Sequence, residues 1–115
     1  MTQEEFETLR RFARTMARMR PDVKALHGLY ERSCERDLTP REDKRLRRLE
    51  ERISLLAAEV GLKAYFIRYP RVWPVWLVPA NWDNEFIEAH HHVGIPAGFT
   101  KPLFIQGLEH DPSLY

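Results

Sequence analysis

Residues 39–62 constrain the fold more than any other stretch of the chain. Thr39-Pro40-Arg41-Glu42 combines a helix N-cap, a proline at the first helical position and a glutamate at capping-box spacing. Leu46, Leu49, Ile53, Leu56 and Val60 then recur every three or four residues. Gly61 suits a left-handed stop, and Leu62 can close the end hydrophobically. The spacing predicts a helix of about 21 residues, roughly 31 Å long at 1.5 Å per residue. Its apolar seam is narrow, more like a coiled-coil seam than a broad core face. Such a helix needs a partner, either an antiparallel neighbour in the same chain or a second copy meeting it through Leu46, Leu49, Ile53 and Leu56. Leu55 falls nearly opposite that seam.

Upstream, Thr2 and Glu5 have capping-box spacing, and Phe6, Leu9, Phe12, Ala13, Met16 and Ala17 fall on one face of a first helix. Arg20-Pro21 predicts its end, because the residue before a proline disfavours helix. Asp22 then caps a second helix through about Glu35, with Val23, Leu26, Tyr30 and Cys34 as its apolar stripe. After Gly61 the period changes. Residues 64–69 read as a strand dense in Tyr, Phe and Ile. Residues 72–78 read as an edge strand or extended segment, since Pro74 and Pro79 cannot donate to a ladder. Asn81 or Asp83 can cap a short helix through about His91, ended by Gly94 and Pro96. Residues 103–106 are a third strand candidate and 110–115 a tail. The expected fold class is α+β: one domain over residues 1–115, with a helical hairpin or small bundle in 1–62. A small proline-interrupted sheet with one short helix follows in 63–115.

Bulk properties exclude several classes. The net charge is +1, so no global pull toward nucleic acid or anionic lipid exists, and such binding needs a local patch. Arginine outnumbers lysine 14 to 4, a bias that GC-rich coding alone produces. The single cysteine, Cys34, forms no intrachain disulfide, which fits a reducing, cytoplasmic setting. No apolar run approaches a membrane span. No glycine-rich phosphate loop, HExxH motif or nucleophile elbow occurs, so nothing favours an enzyme and no cofactor is expected.

Three constellations remain. Tyr69, Arg71, Trp73, Trp76 and Trp82 crowd a proline-braced segment. Trp, Tyr and Arg are enriched at binding hot spots, and proline reduces the ordering cost of an extended contact. They point first to a protein-binding module, a small regulatory or inhibitory accessory protein of bacterial or phage type that acts by steric binding to a larger protein. The second constellation is a pair of arginine stripes: Arg10, Arg11, Arg14 and Arg18 on the first helix, and Arg41, Arg45, Arg48 and Arg52, with Lys44, on the helix after Thr39. Joined in a hairpin, they would make a phosphate-binding surface. Interspersed acids such as Glu7, Asp43, Glu50 and Glu51 allow instead an ordinary mixed face with pairs like Glu7–Arg11, Asp43–Arg47 and Arg47–Glu51. Third, Glu88 and His92 lie one helical turn apart in the run ending His90-His91-His92. That makes a two-ligand start to a metal site, with Asp83, Glu109, His110 and Asp111 as further candidates. Histidines at a helix end also suit its negative pole without any metal.

Overall fold

The computed structural model describes residues 1–69 and 72–98. Helix α1 runs Gln3–Glu35 and helix α2 Pro40–Glu59. Strand β1 spans Leu62–Phe66 and β2 Val75–Pro79. Helix α3 covers Asn84–His90, a 3-10 turn His91–Val93, and strand β3 Ile95–Pro96. The class is α+β: two long helices followed by a small antiparallel sheet carrying one short helix.

α1 corrects the expected break at Pro21. A proline inside a helix removes one backbone bond and costs about 3 kcal/mol. Here both sides of Pro21 bury one continuous stripe: Met16, Met19, Val23, Leu26, Leu29 and Tyr30 are all 3% exposed or less. Six such side chains, at about 1.5–3 kcal/mol each, outweigh the proline severalfold. The helix therefore continues, with Pro21 on its exposed side.

α2 matches its sequence signals closely. The Thr39 hydroxyl accepts from Glu42 N–H at 3.1 Å, and the Glu42 carboxylate accepts from Thr39 N–H at 2.9 Å. Gly61 stops the helix with φ +73°, a region open to glycine at little steric cost. The two helices are antiparallel. Arg32 and Arg36 near the end of α1 pair with Glu42 at the start of α2, while Arg18 pairs with Glu59 at its end. Leu46, Leu49, Ile53 and Ala57 are buried against α1, and Leu56 is partly buried against the same core. The seam read as a possible homodimer contact is thus covered by the chain's own first helix.

With 33 residues against 20, α1 is about 20 Å longer than α2. Its first three turns run past the Arg18–Glu59 pair and have no α2 opposite them. Phe6 is accordingly 50% exposed, Ala13 and Ala17 are exposed, and only Phe12 of this stretch packs on the core. At the other end Cys34 is exposed rather than part of the stripe, because α1 stops one residue later, before the turn into α2.

The sheet order is β1-β2-β3, all antiparallel. β2 is the central strand, not an edge. Its prolines flank rather than interrupt it: Pro74 precedes the strand and Pro79 ends it, so Val75–Val78 keep their donors. Pro74 still contributes by accepting from Ile67 N–H at 2.8 Å. Pairing Leu62 with Pro79 and Phe66 with Val75 places Leu62, Ala64, Phe66, Val75 and Leu77 on the face that packs against the hairpin. Tyr65, Trp76 and Val78 take the opposite face, where the 3-10 turn closes over them. Gly94 is required there, since a Cβ would come within 2.6 Å of the Leu77 carbonyl.

Candidate anion-binding groove

Which arginines are free for a ligand depends on which acids the fold assigns to others. Glu42 is held by Arg36 and Arg32, at 2.8–3.0 Å. Together with the Thr39 N–H they keep its carboxyl well below the usual carboxylate range, Arg36 contributing most. Asp43 pairs with Arg47 at 3.1 Å, as its spacing predicts. Glu50 accepts from Arg68 at 3.1 Å and also from the Tyr30 hydroxyl. Burial, aided by that carboxylate, pushes the Tyr30 hydroxyl above its ordinary range. Glu59 takes Arg18 at 3.3 Å. Glu7–Arg11 and Arg47–Glu51 do not form ion pairs.

Five cations of α2 then line one groove. Arg41, Lys44, Arg45, Arg48 and Arg52 stand along one side, Pro21, Asp22 and Ala25 of α1 along the other, with Leu49 between. The groove is open to solvent and holds roughly 620 Å³. Asp22, only 7% exposed, faces Arg52 Nε at 3.4 Å. Among the described residues Arg41, Lys44, Arg45 and Arg48 have no acidic partner. Five positive charges against one negative leave +4 in a chain whose total is +1.

Beyond Asp22 and Arg52 the groove continues into a second lobe lined by Arg18, Leu55, Leu56 and Glu59. Two cations and two acids balance there, so the uncompensated charge ends at Arg52. This lobe also gives exposed Leu55 its place. No protein-family model matches the chain, and neither does any curated protein or solved structure.

Arg41, Arg45, Arg48 and Arg52 of α2 therefore share one surface, while Arg47 turns to Asp43 and the arginines of α1 join the groove only in part. Arg18 reaches the second lobe but is paired with Glu59. Arg11 and Arg14 continue its row up the longer part of α1 at three- and four-residue spacing. Arg10, four residues before Arg14, lies over the Phe6 ring at 5.9 Å. Sequence reading missed Asp22 as a groove residue, because it carried a helix-capping role at a break that does not exist. Its partner Arg52 lies thirty residues further along the chain, so no local spacing marked it.

The aromatic constellation does not form one surface. Trp73 donates its Nε1–H to the Ala97 carbonyl at 3.0 Å and packs on the hairpin core. Trp76 and Tyr65 meet the His91 ring at 5.9 and 5.3 Å on the other sheet face. Trp82 contacts Phe86 at 4.7 Å, and Phe86 stacks on His90 at 4.1 Å. Tyr69 stands apart, 71% exposed. Arg71, the strand expected over 103–106, the tail, and Glu109, His110 and Asp111 lie outside the described residues.

The histidine run has a packing role. α3 ends at His90, so His92 sits in the 3-10 turn and is not one α-helical turn beyond Glu88. The expected Glu88–His92 juxtaposition rested on an α-helix that stops too early. Among the described residues no three His, Cys, Asp or Glu side chains gather as a metal site requires. Nor, among them, is any helix long and apolar enough to cross a membrane.

Proposed function

We propose that the protein binds nucleic acid through phosphate contacts in the α1–α2 groove. The observation that carries this reading is the set of four cations, Arg41, Lys44, Arg45 and Arg48, that share one groove with no acid assigned to them. Like charges gathered on one helix face destabilise it slightly unless an anion is present. Glu42, Asp43 and Glu50 are held by other arginines and Glu51 is not in the groove lining, which favours a basic groove over the mixed face that helix-surface spacing alone allows. Arginine presents a planar fork that suits phosphate oxygens, and three of the four are arginine.

The test is the double variant Arg45→Glu, Arg48→Glu, with folding confirmed by circular dichroism. Binding to a labelled random-sequence nucleic acid mixture should fall by at least about a hundredfold, because two attractive contacts become repulsive. Full retention of binding removes the groove from consideration. A protein partner is the second reading, supported by the 71% exposure of Tyr69 and the partial exposure of Trp76 and Trp82. The same variant separates the two: a defined protein partner held equally well by parent and variant places the contact on the sheet side.

A further inference from the structure

The chain leaves its third strand pressed against α1. Ala97 is held on both sides: its N–H donates to the Val75 carbonyl at 2.9 Å, and its carbonyl accepts from Trp73 Nε1–H at 3.0 Å. Gly98, also buried, follows with φ +80°. A Cβ there would stand 3.2 Å from Arg20 Cα and 3.5 Å from the Val23 side chain, so a left-handed residue without one suits the position. Residue 99 therefore starts from a fixed point on α1, at Arg20 and Val23.

That point lies on an apolar row. Counting back from Arg20 by four and three residues in turn gives Met16, Ala13, Leu9 and Phe6, all on one helix face, with Phe12 beside them. Met16 is buried, but nearer the start of α1 the row is uncovered: Ala13 is exposed, Leu9 and Phe12 are half-buried and Phe6 is 50% exposed. Toward the other end of α1, Val23, Leu26 and Tyr30 are already buried. Five to seven residues after Gly98 the sequence reads Leu103-Phe104-Ile105. At no more than about 3.3–3.6 Å per residue, that run reaches up to roughly 17–25 Å from Gly98. Leu9 and Phe6 lie about 16 and 21 Å along the helix from Arg20. The starting point, the reach and the apolar character all match the uncovered part of the row.

We infer that the uncovered row of α1, at Phe6, Leu9 and Ala13, is the docking surface for residues 103–105 of the same chain. The inference is independent of the nucleic-acid reading above. The experiment is NMR on the full chain, with a nitroxide spin label on Gln106→Cys in a Cys34→Ser background, since Cys34 is exposed and would take the label too. The amides of Phe6, Leu9 and Ala13 should lose their signals and regain them when the nitroxide is reduced. Retained signals overturn the inference. So does a loss equally strong in a mixture of isotope-enriched unlabelled chain with unenriched spin-labelled chain, since a second copy is then the occupant. Hydrogen exchange supplies the second measurement. In the full chain carrying Phe104→Asp, the amides of residues 6–13 should exchange at least about tenfold faster than in the parent, while those of Leu46, Leu49 and Ile53 in α2 stay protected. Unchanged exchange at residues 6–13 overturns docking through the apolar run.

Discussion

The salt dependence of binding can be worked out from the charge assignment. Four groove cations are uncompensated, and each phosphate contact on a duplex contributes about −0.9 to the slope of log K against log salt. The parent slope should therefore be about −3.6, a loss of roughly 150-fold between 50 and 200 mM salt. Arg48→Ala removes one contact and should bring the slope to about −2.7, or roughly 40-fold over the same range. Arg52→Ala should behave differently, since Arg52 faces Asp22 at 3.4 Å. Its removal weakens binding by exposing the acid but leaves the slope within about 0.3 of the parent. Anisotropy titrations at five salt concentrations measure all three proteins. A parent slope shallower than about −1.5, or one that Arg48→Ala leaves unchanged, refutes the claim that these cations bind phosphates as a set.

The remaining predictions concern the hairpin. Pro21→Ala should stabilise the protein by about 1–3 kcal/mol, because it restores a helix bond at an exposed site within α1. Urea unfolding with an unchanged m-value checks this, and a fall in stability would show that α1 depends on the proline. Tyr30 ionises at higher pH folded than unfolded, so its contribution is fully present below about pH 10, the unfolded tyrosine value, and declines above it. Tyr30→Phe should cost about 1 kcal/mol at pH 7 and flatten that alkaline decline. An equal decline in both proteins would place its cause elsewhere.

Local signals were legible, and long-range ones were not. The start and stop of α2 are written within a few residues, in Thr39, Pro40, Glu42 and Gly61, and the structure follows them. α3 starts where Asp83 can accept from Phe86 N–H, again a three-residue signal. Pro21 misled because its local cost is overruled by burial on both sides, which depends on α2 and the sheet. The prolines around β2 misled because only the hydrogen-bond register shows that they flank the strand. The groove sits at the same limit. Its arginines were visible in the sequence, but their freedom depends on pairs such as Arg18–Glu59 and Arg68–Glu50, which join distant parts of the chain.

The near-neutral total charge has a kinetic consequence. At physiological ionic strength charges more than about 8 Å apart are largely screened. A body of net charge +1 carrying a +4 groove therefore exerts little pull on a distant polyanion and a strong one at contact. Orientation becomes the limiting event: most encounters present the wrong face and separate. Capture should be correspondingly unhurried, and the lifetime of the bound state, rather than the speed of arrival, should set how tightly the protein holds its ligand.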